Sequence, residues 1–407
     1  MKLLYVLHQD PNGYPAGIEQ HLFDLVNGLS ASNKYEISLF FPRNGKYILR
    51  EVDAGKKEIE FKGPHVPLEV IKNEIVEEIF NDILVNEKID IVHFQSMRNL
   101  PLSLIEVAEK SKAISVMTIH EYFLWCVHFI LLVPNFCYFE SDAEKCQACL
   151  TGLNYKIKDG FVEYRRKYVK ELLPKLDAIV APSHYVRDLM LELFDMALEQ
   201  KIVTIENGSN KRLFNQDLIQ NKSESSAGPL NIGFVGNFLN HKGSKVFGDL
   251  LKEFEGRSDV KFFLFGNMYE KLEKHYDHLT IIGGYQRDQL QRLLYDYAIE
   301  LVLLLSTVPE TFSFTLSEVL LNKIPVISLD LGSLRERVSR YKVGFLVPHE
   351  DPVAHIKMRI EFILHNKTIL SSFRENCKKA AKEVPDILDM VKAYDILYQD
   401  LLSRLCS

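Results

Sequence analysis

Short hydrophobic runs alternate with amphipathic segments along nearly the whole chain, a pattern typical of β-α-β units with parallel sheets. Each run is mostly apolar and is followed by a polar loop, as in strands buried on both faces. We predict strands at Lys2–Leu7, Glu36–Phe41, Ile89–Phe94, Ser115–Ile119, Ala178–Ala181, Asn231–Val235, Lys261–Phe265, Leu279–Ile282, Leu301–Leu305 and Pro325–Ser328. Apolar residues at helical spacing predict helices over Ile18–Leu29 and Asp386–Leu405.

The strands form two series, which indicates two α/β halves. The segment Asn221–Pro229 between them is polar and rich in small residues, as expected of a linker. Open parallel sheets bind ligands beyond the carboxyl ends of their strands. Two such sheets in tandem would face each other across a cleft.

Composition narrows the class of protein. The chain has 407 residues, of which 47% are hydrophobic, 26% charged and 11% aromatic, which excludes disordered, collagen-like and disulfide-dense proteins. A net charge of −6 gives no general basic field, so we expect no nucleic-acid partner. The apolar run Leu3–Leu7 lacks the features of a signal peptide, and the longest apolar stretch, Tyr122–Val133, is too short to span a bilayer. We therefore expect a soluble cytoplasmic protein.

The segment Val308–Leu320 carries two carboxylates, Glu310 and Glu318, where a predicted strand is followed by a helix. The free N–H groups of a first helical turn, here near Phe314 and Thr315, form an anion site. The two acids suit separate hydroxyl groups of one ligand whose phosphate the amides hold. The spacing equally fits a solvated Glu318 and a Glu310 that complements the helix dipole.

The segment Gly233–Gly243 carries a second phosphate-binding signal. Its glycines permit close backbone approach, and Lys242 is placed to reach a phosphate as a point charge. The segment matches neither a Walker loop nor a dinucleotide fingerprint. Taken alone, it equally fits a strand-to-helix turn with an exposed lysine.

The order of the motifs resembles that of a known family. The elements are Ala16–Gln20, His120, Ala181–Ser183, Glu206–Gly208, Gly233–Gly243, Glu310 with Glu318, a loop at Gly332–Val338, and Val343–Pro348. They resemble the retaining GT-B glycosyltransferases of family 4, also called glycosyl transferases group 1, which include WaaG, PimA and sucrose synthase. The resemblance covers nearly the entire chain.

The resemblance implies a GT-B fold, in which two Rossmann-like parallel-sheet domains face each other across a cleft. Residues 1–206 would form the N-terminal acceptor domain, residues 207–228 the linker, and residues 229–385 the nucleotide-sugar-binding domain. The C-terminal helix, residues 386–407, would pack back on the N-terminal domain.

The resemblance also implies roles for individual residues. Glu318 would bind the ribose hydroxyls of a nucleotide-sugar donor, Glu310 a hydroxyl of the transferred sugar, and Lys242 the diphosphate. Further donor contacts would come from Gly17, Asn237, Tyr285 near the base, and the amides around Phe312, Ser313, Phe314 and Thr315. His120 would lie beside the donor sugar and act with Glu310 and Lys242 in catalysis. Lysine and preorganised amides stabilise a leaving diphosphate without a catalytic metal.

Asn237 departs from the family, which usually has an arginine or similar polar residue a few places before the lysine. An amide donates a hydrogen bond but supplies no charge. Either Arg287 or Arg335 supplies the missing cation, or the donor binds more weakly.

The implied activity is transfer of a sugar from a UDP- or GDP-sugar to a glycan or lipid-linked acceptor, with retention, in cell-surface polysaccharide biosynthesis. Two alternatives stay open. A GT-B nucleotide-sugar epimerase needs further acid and base residues, which we do not locate. A non-catalytic partner that binds a nucleotide sugar is an alternative that Asn237 keeps open, although Glu310, Glu318 and Lys242 argue against it.

Four of the six cysteines, Cys126, Cys137, Cys146 and Cys149, fall within 24 residues. Four thiolates, two of them in a Cys-x-x-Cys pair, can complete a tetrahedral structural zinc site. Similar cysteine groupings appear in some polysaccharide-assembly members of the family. Alternatively, Cys126 and Cys137 are buried apolar residues and the pair is coincidental.

Residues 156–170 concentrate cations and aromatic residues on a predicted helix. A basic amphipathic helix, together with the nearby apolar segment Phe129–Val133, fits peripheral contact with the inner face of a membrane that carries a lipid-linked acceptor. A solvated helix face, or a site for an anionic acceptor, fits the same pattern.

Overall fold

The structure is a computed structural model that describes residues 1–13, 16–52, 57–133, 135–214 and 228–405. Its contacts divide the chain into two units. The first unit comprises Met1–Gly208 and Ile387–Ser407, and the second comprises Ser209–Asp386. Most of the predicted linker, 207–228, lies outside the described residues.

The elements follow one another as α/β repeats. The strands are β1 (Lys2–Val6), β2 (Glu36–Arg43), β3 (Lys46–Glu51), β4 (Glu58–Lys62), β5 (Ile91–Phe94), β6 (Ile114–Thr118), β7 (Leu132–Val133), β8 (Asn135–Phe136), β9 (Ala178–Ala181), β10 (Ile202–Thr204), β11 (Leu230–Val235), β12 (Val260–Phe265), β13 (Leu279–Gly283), β14 (Leu301–Leu304), β15 (Val326–Leu329) and β16 (Gly344–Val347). The α-helices are α1 (Gly17–Ser30), α2 (Glu74–Asn86), α3 (Leu104–Ser111), α4 (Ala143–Gly152), α5 (Phe161–Leu172), α6 (His184–Leu193), α7 (Ser244–Glu253), α8 (Leu290–Asp296), α9 (Phe314–Leu321), α10 (Gly332–Tyr341), α11 (Pro352–His365), α12 (Thr368–Glu383) and α13 (Ile387–Leu405). Short 3-10 turns are Leu173–Lys175, Met196–Leu198, Lys211–Leu213, Asn240–Lys242 and Arg287–Gln289.

The first unit is built on a sheet in the order β10-β9-β6-β5-β1-β2-β3-β4. Its strands are parallel up to β2, and β3 and β4 extend the sheet as antiparallel strands. Apolar clusters cover both faces of the sheet, and the helices that supply them include α2 and α3 on one face and α1 and α13 on the other. The C-terminal helix α13 therefore packs on the N-terminal unit.

The second unit is built on an all-parallel sheet in the order β13-β12-β11-β14-β15-β16. Helices α7 and α11 cover one face, and α8, α9 and α10 cover the other. The sheet is doubly wound because the strand order reverses between β11 and β14. The carboxyl ends of these two strands flank the point where such sheets bind ligands.

All ten predicted strands are present, and α1 and α13 confirm the two predicted helices within one residue at each end. The prediction of a loop at Gly332–Val338 is wrong, because this segment forms most of α10. The Val343–Pro348 motif contains edge strand β16. Gly344 is needed there, since a Cβ atom would lie 1.8 Å from the carbonyl oxygen of Val326 on β15.

Candidate active site

Lys242 and Glu310 meet at the point where the second sheet reverses its strand order. Lys242 ends the 3-10 turn that follows β11, and Glu310 lies in the loop after β14. The lysine Nζ is 2.7 Å from Glu310 Oε1, and the side chains are 41% and 17% exposed. The predicted lysine and the first predicted carboxylate thus share one site.

Glu310 is held in its ionised form. Burial raises its pKa, but the charge of Lys242, hydrogen bonds from Lys242, and hydrogen bonds involving Ser313 and Ser306 outweigh burial and hold the pKa below its usual range. In the structure, Glu310 therefore neutralises the charge of Lys242.

Gly243 explains how Lys242 reaches this position. Its φ is +91°, and a Cβ atom would lie 2.1 Å from the carbonyl oxygen of Leu305, just beyond β14. Only glycine accommodates both the left-handed conformation and this close approach. The turn that carries Lys242 therefore packs directly against the end of β14.

Glu318 lies one turn into α9 and pairs with Arg287. Arg287 Nε is 2.9 Å from Glu318 Oε1, and Glu318 is 8% exposed. Burial raises the pKa of Glu318, although the Arg287 charge opposes it. Burial and the charge of Glu318 also raise the pKa of Tyr285, so this predicted base-flanking residue belongs to the same group.

The structure distinguishes the two arginines that were candidates to replace the missing cation at residue 237. Arg287 reaches the site through Glu318 and lies 5.8 Å from the centre of the Phe314 ring. Arg335 instead pairs with Asp330 at 2.6 Å, with its side chain 60% exposed. Asn237 itself lies in the loop after β11, with its Oδ1 3.5 Å from Asn267 Nδ2.

The start of α9 is fixed from inside the second unit. Ser313 caps the helix, because its Oγ accepts a hydrogen bond from the Leu316 amide at 3.3 Å. The N–H groups of a first helical turn, here at Phe314 and Thr315, have no partner within the α-helix, and anion binding there stays a prediction. Phe312 is buried beside this turn, with its ring 5.7 Å from that of Phe314.

Arg337, which was not predicted as a site residue, holds this helix start. It is 1% exposed and donates to the carbonyl of Ser313 at 2.9 Å and to Ser317 Oγ at 2.7 Å. Its guanidinium also lies 4.1 Å from the centre of the Phe312 ring. The only sequence signal for Arg337 was its place in the Gly332–Val338 motif. Because that motif was predicted to be a loop, the sequence did not indicate a helix with a buried face there.

Gly332 supports the Glu310 loop from α10. Its φ is +56°, and a Cβ atom would lie 2.8 Å from the amide nitrogen of Glu310. The next residue, Ser333, donates its amide hydrogen to the carbonyl of Glu310 at 3.0 Å. The loop that carries Glu310 is therefore held by backbone contacts as well as by Lys242.

His120 lies in the first unit, just after β6 and beside Gln95, which follows β5. Its Nε2 is 2.8 Å from Gln95 Oε1, and both residues line a small cavity with Ser96 and Glu121. Gln95 is 1% exposed, and its Nε2 has no hydrogen-bond partner among the described residues. Burial, helped by nearby histidines including His21, holds the pKa of His120 well below its usual range.

Gly17 is the first residue of α1 and is exposed at that helix start. The preceding Ala16 donates its amide hydrogen to Glu19 Oε2 at 2.9 Å. Gly17 and His120 belong to the first unit, whereas the charged pairs belong to the second. Their roles at the donor stay predictions.

The four clustered cysteines line one cavity of about 240 Å³ together with His128. Four thiols are suitable zinc ligands, but their side chains are not arranged to bind it. No three His, Cys, Asp or Glu side chains in the described ranges are placed to bind a metal ion. Burial raises the pKa of Cys126 to about 11 and also raises that of Cys146 and Cys149. The predicted structural zinc stays a prediction.

Two arginines of the basic segment 156–170 make contacts inside the first unit. Arg165 is 3% exposed and donates from Nη1 to the carbonyl of Leu124 at 2.8 Å and from Nη2 to that of Phe123. Arg166 lies 3.9 Å from the centre of the Trp125 ring. These arginines therefore hold the cysteine-containing segment, and exposed cations remain at Lys156, Lys158, Lys167 and Lys170.

The apolar segment Phe129–Val133 is also partly occupied within the first unit. Leu131 is 1% exposed in a cluster with Tyr122 and Leu189, and Phe129 lies against Arg98 at 4.2 Å. None of the helices in the described part of the chain is long and apolar enough to cross a membrane.

Comparison with family models accounts for nearly the whole chain. Residues 15–211 match the model "Glycosyltransferase Family 4", and residues 215–384 match "Glycosyl transferases group 1". The boundary between the two matches falls close to the boundary between the two units.

Solved structures of similar fold are GT-B enzymes. Sucrose-phosphate synthase from Thermosynechococcus elongatus superposes with a TM-score of 0.68 at 15% identity, covering 99% of each chain. HepE from Anabaena, solved with UDP, gives a TM-score of 0.64 at 15% identity, covering 98% of this chain and 100% of that one. A glycosyltransferase from Rickettsia africae gives 0.64 at 17% identity, covering 98% of each chain.

A curated relative is an uncharacterized 41.2 kDa protein in the cps region of Klebsiella pneumoniae. It is 25% identical over 245 residues, which are 57% of this chain. The match spans 64% of that relative's length.

Proposed function

We propose a sugar-transfer activity for this chain, which belongs to the GT-B glycosyltransferases of family 4, also called glycosyl transferases group 1. The protein transfers a sugar from a UDP- or GDP-sugar to a glycan or lipid-linked acceptor. The observation that carries this proposal is the contact between Lys242 and Glu310, 2.7 Å apart at the reversal point of the second sheet. A lysine and a carboxylate beside a helix start suit the phosphates and a sugar hydroxyl of a sugar diphosphate.

The diphosphate supplies the negative charge that Glu310 supplies in the free protein. When it binds, Lys242 exchanges Glu310 for phosphate oxygens, and the amides at the start of α9 donate to the same group. The exchange releases Glu310 to accept a hydrogen bond from a hydroxyl of the transferred sugar. One ligand thereby satisfies both members of the ion pair.

Glu318 and Arg287 hold the other end of the donor. A buried, negatively charged Glu318 suits the paired hydroxyls of a ribose, and Tyr285 beside it suits one face of the base. Arg287 supplies a second cation near the start of α9, which offsets the neutral Asn237.

Departure of the nucleoside diphosphate is helped by the same groups. As the sugar–phosphate bond breaks, negative charge grows on the diphosphate oxygen, and Lys242 and the preorganised amides stabilise it. His120 would act beside the sugar. Retention at the anomeric carbon is proposed from the resemblance to the retaining family members.

The acceptor is proposed to be a surface glycan or its lipid-linked precursor. Support comes from the curated relative, which is a protein of the cps region. Peripheral membrane contact through residues 156–170 is proposed on the exposed lysines alone, since the two arginines are used inside the unit.

The test is release of nucleoside diphosphate and transfer of sugar from a panel of UDP- and GDP-sugars to glycan and lipid-linked acceptors. We expect Lys242→Met and Glu310→Gln each to lower kcat about a hundredfold. The matched controls are Lys261→Met and Glu273→Gln, whose side chains are exposed on the same unit.

Proton NMR of the product's anomeric signal reads the stereochemistry directly, and inversion would contradict the retention proposal. Tight donor binding without turnover would favour a non-catalytic partner. Conversion of the donor sugar into its isomer would favour an epimerase. Full activity in Lys242→Met would contradict the proposed role of the charged site.

A further inference from the structure

A network of buried tyrosines and histidines connects the C-terminal helix α13 to the strands of the first unit. Tyr394 Oη is 3.0 Å from Thr118 Oγ1, and Thr118 Oγ1 is 2.8 Å from His93 Nε2. His93 Nδ1 in turn lies 2.5 Å from Tyr398 Oη. All four residues are at most 3% exposed.

The network reaches His120 through His21. Tyr394 Oη lies 3.4 Å from His21 Nε2, and the two rings are 5.6 Å apart. The ring of His21 then meets the ring of His120 edge-on, with 4.7 Å between the centres. Thr118, which anchors the Tyr394 hydroxyl, is the last residue of β6 and lies two residues before His120.

These polar groups are costly if their only purpose is packing. A buried hydroxyl or imidazole needs hydrogen-bond partners, and an unpaired one costs about 1–3 kcal/mol. Apolar residues such as Met390 and Leu401 fill other inward positions of α13 without that requirement. A chain of oriented rings that ends on His120 is suited to hold the plane of that imidazole.

We propose that Tyr394 and His21 are positioning residues for His120. Tyr394, anchored on Thr118, fixes His21, and the ring of His21 fixes the edge of His120 while Gln95 holds its Nε2. The catalytic consequence rests on the proposed function, because His120 acts there on the sugar. The positioning itself is a property of the free protein.

The proposal separates two steps of the reaction. The donor-binding groups Lys242, Glu310 and Glu318 belong to the second unit, so a change in α13 leaves them in place. Loss of the Tyr394 hydroxyl should therefore slow sugar transfer without weakening the binding of the donor. A general loss of stability would not produce this split between kcat and KM.

The test compares Tyr394→Phe with Tyr47→Phe. Tyr47 is also buried in the first unit and also loses one hydrogen bond, at 2.8 Å to the carbonyl of Pro64, but it lies on β3. We expect Tyr394→Phe to lower kcat about tenfold with an unchanged donor KM, because small misplacements of reacting groups are expensive. Tyr47→Phe should keep the wild-type kcat.

A second readout needs no substrate. In protein labelled with nitrogen-15 histidine, the imidazole signals of His120, assigned with His120→Gln, should shift in Tyr394→Phe and stay unchanged in Tyr47→Phe. Unchanged His120 signals, or equal effects of the two variants on kcat, would overturn the proposal. If the wild type neither binds nor converts nucleotide sugars, the proposed function fails, and the His120 signals still decide the positioning.

Discussion

At the scale of single residues, the sequence placed the charged groups of the second unit but not their partners. Lys242, Glu310 and Glu318 stand out because they follow predicted strands and lie at a helix start. Their contacts with one another and with Arg287 depend on which strands are neighbours in the sheet. Chain order alone does not specify that neighbourhood.

The buried residues that support the charged pairs in the second unit and His120 in the first unit were not predictable from residue spacing. Arg337 and Gln95 carry no spacing signal, and a sequence gives no reason to expect an arginine that is 1% exposed. Charged side chains are rarely buried unless paired, so their burial is decided by the folded partners. The positions of Lys242, Glu310 and Glu318 after strands and at a helix start were predictable, whereas the buried residues that support them were not.

Buried histidines of the first unit predict a stability that depends on pH. Burial lowers the pKa of His8 to about 3 and that of His21 to about 4, and holds those of His93 and His120 well below their usual range. In the unfolded chain, these histidines have pKa values of about 6.5. Below that pH the unfolded state binds more protons, so the free energy of unfolding should fall by about 1.4 kcal/mol per pH unit for each extra proton.

Urea unfolding followed between pH 7.5 and pH 4.5 (about 3 pH units) measures this slope. His8→Gln removes one of the buried groups and should make the slope shallower by one proton. His65→Gln, at an exposed position, is the matched control variant. A free energy of unfolding that does not change over this range would contradict the prediction.

At the scale of elements, the central parallel strands and the edge strand β13 were predictable, whereas the edge strands β4, β10 and β16 were not. A strand such as β1, with Leu3 to Val6 fully buried, is a continuous apolar run. Strands β3 and β4 mix polar and apolar residues because they extend the sheet at its antiparallel edge. Strand β10 has only three residues, and β16 is an edge strand whose first three residues are only partly buried.

Helix α5 shows how a charge pattern misleads when burial is unknown. Because Arg165 bonds two carbonyls from inside the unit, Arg165→Ala should lower the free energy of unfolding by about 2–4 kcal/mol. Lys167→Ala, two residues along α5 on its exposed face, should change the free energy of unfolding by less than about 0.5 kcal/mol. Urea unfolding of both variants checks the contrast.

The same helix also carries the test of membrane contact. Flotation with anionic vesicles should be weakened when Lys156, Lys158, Lys167 and Lys170 are changed to alanine, with the wild-type fold retained. Equal flotation of the two proteins, or none by either, would remove the membrane proposal.

Equal losses in the free energy of unfolding for Arg165→Ala and Lys167→Ala would contradict the assignment of Arg165 to the inner face of α5.

The structural zinc predicted from the sequence is not prefigured in the structure, since no three of the described side chains are placed to bind a metal ion. If zinc binds, the cysteine-containing segment rearranges around it and purified protein contains about one zinc per chain, because four thiolates can complete a tetrahedral site. The Cys146→Ser/Cys149→Ser double variant should lose the metal and destabilise the segment around α4. Cys377→Ser, in the second unit, is the control. A folded, metal-free protein by elemental analysis would contradict zinc and leave the cysteines as apolar residues.

At the scale of the whole molecule, two series of alternating strands and helices were enough to predict two α/β units. The grouping of α13 with the first unit was not in the periodicity, because helical spacing shows that a face is apolar and not which sheet covers it. Here Tyr394 and Tyr398 supply that contact through hydrogen bonds to Thr118 and His93. Resemblance to the family implied the packing, and the contacts give its physical reason.

The most direct test of the central claim is the binding of nucleoside diphosphate to the charged site of the second unit. Titration calorimetry with UDP and with GDP compares the wild type with Lys242→Met/Glu318→Gln and with the control Lys261→Met/Glu273→Gln, which makes the same charge changes. Charge-assisted hydrogen bonds contribute about 1.5–3 kcal/mol each, so we predict that one nucleotide binds the wild type and the control equally, and the site variant at least about a hundredfold more weakly. Equal binding to the site variant and the wild type, or no binding of either nucleotide to the wild type, would contradict the account.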